Sequence, residues 1–382
     1  MTRLRDLGVT PGFLPTGPLN AITDVPGVKV GHTTLIQGEG RLIEGEGPVR
    51  TGCTAILPHG GNLFREKVAA AVYTINGFGK AAGFEQIRER GLIETPILLT
   101  NTLNVGKVAD ALVAYMLAHN PEIGLTTGTV NPVVGECNDS LLSDLRGRHV
   151  SQPHVWAAIE SAQGGAVVEG NVGAGTGTAC YQFKGGIGTS SRRVGEFTVG
   201  ALVQSNFGAR RELRVLGAPI GMHFLGDYLP QTGPGSIMMV LATDAPMTAL
   251  QLRRLAARAA FGLARTGTVC HDGSGDFVIA FSTANPWLHW PPAITSSTTR
   301  LHEEAAVAGA VAGAVTSEFP AAPAPFTEKI IDQFFTAAVE SIEEAVLNSL
   351  VAAETMTGRD GNTLHAIPLD RLAELLRHYH VR

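Results

Sequence analysis

An α/β fold, with strands and helices in layers, is what this sequence predicts, and three observations carry the prediction. Short apolar runs of β type alternate along the chain with stretches of helical spacing. Hydrophobic residues fill 44% of the 382 positions and charged residues only 16%, a balance that supports a large buried core. The 46 glycines mark tight turns and close backbone approaches in a well-packed chain. A chain this long accommodates one large core or two lobes.

Taken in order, the opening is punctured by Pro11, Pro15, Pro18 and Pro26, so residues 1–62 read as loops and short strands. Among them, Thr51–Leu57 is a strand ended by Pro58. From Phe64 to Arg90 the alanine-rich pattern reads as helical, broken at Gly77, Gly79 and Gly83. Pro96–Thr100 is a short strand, and Asn104–His119 has helical spacing through Val108, Leu112, Tyr115 and Met116, with Asn104 as N-cap. Gly164–Gly188 is dense in glycine but contains neither phosphate-loop signature, so close backbone packing or substrate approach is expected of it. Phe197–Gln204 is a strand closed by a turn at Ser205–Gly208, and Ser236–Thr243 is another. A helix follows over Thr248–Arg265, burying Leu252, Leu255, Ala259 and Leu263. The polar turn after Thr268 enters a strand ending near Ser282, and His289–Thr299 reads as a surface loop. Phe326–Ala353 forms a long helix with Ile331, Phe334, Phe335, Ala338, Ile342 and Val346 on its apolar line, and Pro368–His378 a short one.

Composition narrows the function classes. A net charge of -5 offers no basic footprint for nucleic acid. No run of about 18 apolar residues occurs, and the N-terminus lacks a signal-peptide core, so a soluble cytoplasmic protein without membrane contact is expected. Cys53, Cys137, Cys180 and Cys270 lie far apart, with no metal-cage or disulfide spacing. Small molecules or peptides are the expected partners, with no metal or cofactor.

Chemistry concentrates at Gly235-Ser236. Thr232-Gly233-Pro234-Gly235 is a stiffened, small-residue approach to one hydroxyl, and an apolar run starts directly behind it. If the hydroxyl of Ser236 attacks the Gly235 carbonyl, the chain cuts itself. Ser236 then carries both a nucleophile and an α-amine, whose reference pKa of about 7.7 to 8.0 makes it a base near neutral pH. An ordinary Gly-Pro turn feeding a buried strand is the alternative from these residues alone.

Eight motifs decide between them. Gly135-Glu136-Cys137-Asn138-Asp139, Gly173–Gly177, Phe183–Arg192, Gln204–Gly208, Gly235-Ser236, Ala242–Pro246, Gly262–Gly267 and Gly273–Asp276 occur in one order along nearly the whole chain. Together they resemble the L-aminopeptidase/D-esterase and β-peptidyl aminopeptidase family. The resemblance implies a single four-layered α/β/β/α sandwich, related to N-terminal-nucleophile hydrolases. It implies self-cleavage into residues 1–235 and 236–382, and tetramers of the processed unit. Asn206 matches the family's oxyanion donor, and Ser274 and Asp276 match residues that orient the new amine. Glu136, helped by Asn138 and Asp139, is expected to meet the substrate's ammonium, because a carboxylate is its natural counter-charge. Where relatives often carry tyrosine downstream of this motif, Ser140-Leu141-Leu142 stands here.

The expected function is an autoprocessed serine aminopeptidase or amidase acting on short peptides, amides or esters, β-peptides included. Two enzymes of the same fold are the alternatives, an oligoamide hydrolase and an acyltransferase of arginine synthesis, but both cut before threonine. A non-cleaving peptide-binding relative is the alternative outside enzymes. His271 is read as a solvated loop residue without a catalytic part.

Overall fold

The computed structural model describes residues 2–230, 235–284 and 330–381. The approach Thr232–Pro234, the loop 289–299 and the first residues of the helix expected from 326 lie outside them.

Two sheets form the centre. The smaller has the order β1 (Lys29–Gln37), β2 (Val49–Leu57), β5 (Ile97–Asn101), β6 (Val133–Cys137). The larger has the order β4 (Leu92–Ile93), β3 (Val68–Gly77), β12 (Gly275–Ser282), β11 (Ser236–Thr243), β10 (Phe197–Asn206), β9 (Ile187–Val194). Each sheet has one parallel pair, joined by a helix. The helix α2 (Val105–His119) connects β5 to β6, and α4 (Ala249–Arg265) connects β11 to β12.

Three apolar cores separate four layers. Ile56, Ile97, Leu99 and Val133 of the small sheet meet Val68, Val72, Met238 and Val240 of the large one. Outside the small sheet, Leu98 and Val134 pack on α2 and α3 (Gln152–Glu160). Outside the large sheet, Val199, Met239 and Val278 pack on α4 and on α5 (Ile331–Val351). The order is therefore α/β/β/α, as expected.

Strand β11 shows why. Its side chains alternate, with Ile237, Met239 and Leu241 facing the helices and Met238, Val240 and Ala242 facing the other sheet. A strand buried on both faces must be apolar throughout, so Ser236 at its start is an exception at the sheet's end.

The alanine-rich stretch is a correction. Residues 68–77 are strand β3, and only α1 (Phe84–Arg90) is helical there. Val68-Ala-Ala-Ala-Val72 is small because α4 packs closely over this strand, and sheet pairing to β12 outweighs alanine's helix propensity. Nor does Asn104 act as a side-chain cap of α2; both of its amide atoms are buried without a hydrogen-bond partner among the described residues.

Candidate active site

Three strand ends meet at Ser236. In the register of the large sheet it lies opposite Asn206, the last residue of β10, and beside Gly275, the first residue of β12. The N–H of Gly275 points at both atoms that matter there. It stands 3.3 Å from the Ser236 hydroxyl oxygen and 3.3 Å from the Gly235 carbonyl oxygen. Gly235 is tightly enclosed, since a methyl group there would sit 2.5 Å from the Asn206 carbonyl oxygen and closer still to the Phe207 backbone. Ser236 itself is buried.

Asn206 is held by its side chain. The N–H of Ala179 donates to its Oδ1 at 2.9 Å, which leaves the Nδ2 donor for the cleft that Asn206 lines. The same cleft is lined by Asn138, Leu141, Gly177, Gln182 and Gly235. The amide thus bonds the backbone of Ala179, 27 residues away, and not its own turn.

Ser274 and Asp276 flank Gly275 on the turn into β12. The Ser274 hydroxyl donates to Asp276 Oδ1 at 2.6 Å. Burial pushes the Asp276 carboxyl above its ordinary range, partly offset by the Ser274 hydroxyl, the Cys270 thiol and the His271 charge. Its other oxygen, Oδ2, has no partner of hydrogen-bond geometry among the described residues. Asn76 braces the turn, donating through Nδ2 to the carbonyls of His271 at 3.0 Å, Asp272 at 2.9 Å and Ser274 at 2.5 Å. His271 points away, bonded at 2.9 Å to Glu212 on the surface.

The motif around Glu136 divides between strand and cleft. Glu136 lies in β6 and is only 2% exposed, so it is not a loop acid in solvent. Its Oε1 accepts from the Lys80 N–H at 3.0 Å and its Oε2 from the Thr102 hydroxyl. Burial raises its pKa, against the pull of those two bonds. The loop that carries Lys80 also reaches the turn into β12, because the Phe78 N–H donates to the Ser274 carbonyl at 3.2 Å. Cys137 lies beside Ser236, its thiol donating to the Gln204 carbonyl at 3.2 Å and the Ser236 carbonyl at 3.4 Å. Asn138 reaches the cleft wall; Glu136 and Asp139 do not. Asp139 is buried against the Asn101 amide, at 3.1 and 3.2 Å, and burial lifts its pKa to about 7.

A hydroxyl beside a glycine carbonyl, with a backbone donor on both, is equipment for acyl transfer. The sequence pattern of peptidase family S58 matches residues 20–364. The chain belongs to peptidase family S58. It is 43% identical to the beta-peptidyl aminopeptidase BapA of Sphingosinicella microcystinivorans, across 99% of this chain and 92% of that one. Among solved structures, a Burkholderia beta-aminopeptidase is 41% identical over the full length of both chains, with a TM-score of 0.84. The L-aminopeptidase D-Ala-esterase/amidase of Ochrobactrum anthropi, described as a prototype serine aminopeptidase and a variant of the Ntn-hydrolase fold, is 39% identical. It matches 100% of this chain and 99% of its own at a TM-score of 0.83. This S58 member is accordingly a peptide-bond hydrolase, a serine aminopeptidase with the Ntn-type layered fold. No helix among its described residues is long and apolar enough to cross a membrane.

Two groups beside Ser236 escaped the sequence reading. The Gly275 N–H is a backbone group, which residue type cannot reveal, although the Ser-Gly-Asp motif contained it. Asn76 sits at the end of β3, inside the stretch read as helix, so nothing directed attention to the far side of the turn it braces.

Proposed function

We propose that this peptidase matures by cutting itself between Gly235 and Ser236, and then removes N-terminal residues, β-amino residues among them, from short peptides and amides. The observation that carries the reading is the single Gly275 N–H shared by the Gly235 carbonyl and the Ser236 hydroxyl. In maturation, Ser236 Oγ bonds to the Gly235 carbonyl carbon while its proton passes to a base. The charge that grows on the carbonyl oxygen faces the Gly275 donor. Collapse breaks the Gly235–Ser236 amide as the base hands that proton to the departing nitrogen, which becomes the α-amine, and water opens the resulting ester to a Gly235 carboxylate and a free Ser236.

In turnover the new α-amine takes the Oγ proton, and Oγ attacks the substrate carbonyl. Asn206 Nδ2 meets the oxyanion, the leaving amine is protonated, and water releases the acyl group. Ser274 and Asp276 hold the amine, for which the unpartnered Asp276 Oδ2 supplies an acceptor. Asn138 is a wall of the acyl pocket, and Glu136, the candidate counter-charge for the substrate ammonium, acts from behind that wall through its charge and not by contact in the cleft, with Asp139 supporting the wall beside it. β-Residue preference follows the relatives named for it. The processed unit is read as a cytoplasmic homotetramer; light scattering of the mature protein at the mass of a single unit would reject the tetramer.

A denaturing gel with N-terminal sequencing tests maturation. Wild type should yield a fragment beginning at Ser236, and Ser236→Ala should stay whole; full-length chain that still turns over substrate sinks the proposal. A panel of L-, D- and β-aminoacyl anilides tests the substrate. Glu136→Gln, which removes the buried charge and keeps the shape, should raise KM with kcat less affected. Equal KM in both proteins removes Glu136 from ammonium recognition.

A further inference from the structure

We propose that Lys184 is a positioning residue for turnover, locking the one peptide plane that aims the Asn206 amide at the reacting carbonyl. This rests on the reading of Asn206 as the oxyanion donor.

Lys184 has 0% exposure. Its Nζ donates to three backbone carbonyls, those of Gly175 at 3.0 Å, Thr178 at 3.0 Å and Gly185 at 2.6 Å. An ammonium has three N–H donors, so the three acceptors match its charged form one for one. Burial pulls its pKa down to about 7, and the charges of Cys180 and Asp139 draw it back up. No carboxylate pairs with it among the described residues. Burying a cation in this way costs stability that an apolar residue would not cost, so packing alone does not explain the lysine.

The Thr178 carbonyl and the Ala179 N–H belong to the same peptide unit, which is planar and rigid. Lys184 grips the oxygen of that unit, and the nitrogen grips Asn206 Oδ1 at 2.9 Å. The Gly185 N–H donates to the same Thr178 carbonyl at 3.0 Å, and Ala179 pairs with Lys184 across the hairpin of β7 (Ala179–Cys180) and β8 (Phe183–Lys184). Asn206 therefore owes the orientation of its donor to a charge one peptide away. The Gly275 donor is held differently among the described residues, its peptide plane gripped at the Ser274 carbonyl by the neutral Asn76 amide and the Phe78 N–H.

The test is a double-mutant cycle of Lys184→Met and Asn206→Ala, read as kcat and KM on one aminoacyl anilide after maturation. Asn206→Ala alone should cut kcat by about 10² to 10³, the usual effect of losing an oxyanion donor. Lys184→Met should cut kcat at least tenfold with KM within threefold, should still mature, and should add almost nothing to Asn206→Ala. Lys184→Gln keeps two donors and should recover part of kcat. A kcat untouched by Asn206→Ala overturns the oxyanion reading itself, and the inference with it. Fully additive losses overturn the inference and leave that reading standing. If Lys184→Met stays uncleaved the cycle moves to Lys184→Gln; failure of both to mature overturns the proposal.

Discussion

Asp139 illustrates how a motif residue can govern stability without touching the cleft. It is 1% exposed, and its pKa is about 7 against an ordinary 3.8, because burial penalises the charged form more than the Thr51 and Asn101 bonds favour it. The folded protein therefore holds a proton there between about pH 4 and 7 that the unfolded chain has released. Stability from this group is full below pH 3.8 and is lost as pH rises towards 7, by up to about 1.4 kcal/mol per pH unit. Asp139→Asn, which cannot ionise, should flatten that slope and leave the protein relatively more stable at pH 8. Urea midpoints across pH 4–8, taken in the Ser236→Ala background so that one continuous chain unfolds, measure it. Parallel curves for the two proteins would show that Asp139 carries no such proton.

At the scale of elements, legibility followed periodicity. Strands β5 and β11 stood out as short, nearly continuous apolar runs and helices α2 and α4 because their apolar positions repeat at 3.6, and the described part of α5 buries every residue of its expected apolar line. Strands β1 and β9 carry polar residues such as His32, Thr33, Ser190, Ser191 and Arg192 at buried or half-buried positions, so no alternation announced them. Thr189, Ser190 and Ser191 are satisfied by partners that only the fold supplies, the Ala201 carbonyl, the Ser341 carbonyl and Asp24. Strand β3 misled for the opposite reason, since its alanines serve close helix-on-sheet packing. The glycine-dense region was read for the right cause. At Gly175, a side chain would come within 2.5 Å of the Ile187 backbone nitrogen, so backbone against backbone is what those glycines permit. For the candidate site, the motif resemblance singled out Ser236, Asn206, Ser274 and Asp276, which the fold gathers at neighbouring strand ends, whereas the Gly275 donor and the proposed Lys184 clamp depend on which peptide planes face each other.

For the molecule as a whole, the proposed cleavage after Gly235 raises the question of what would keep residues 236–382 in place. The sheet answers in part, because β11 is hydrogen-bonded to β10 and β12 to β3 across the cut. A buried charge network answers the rest. Arg192 on β9, with 0% exposure, donates to Glu340 at 2.9 Å and Glu344 at 2.6 Å on α5, and Arg5 and Asn20 also reach Glu344, at 2.7 and 2.6 Å. Every one of those contacts joins the first segment to the second. Burial raises the pKa of Glu344, but its bond to Arg5 and the charges of Arg192 and Arg5 outweigh it, so the net shift is downward from 4.5. A depressed carboxylate gives stability that is complete above about pH 4.5 and is lost as the pH falls through the folded value. The two fragments should therefore co-elute on gel filtration at neutral pH and separate or unfold together in acid. Glu344→Gln leaves Arg192 buried beside a neutral partner, and breaking such a pair typically costs about 3 to 5 kcal/mol. That variant should fall apart at a higher pH or lower urea concentration than wild type. Fragments that separate freely at pH 7 in the wild type would show that the network does not hold the halves together.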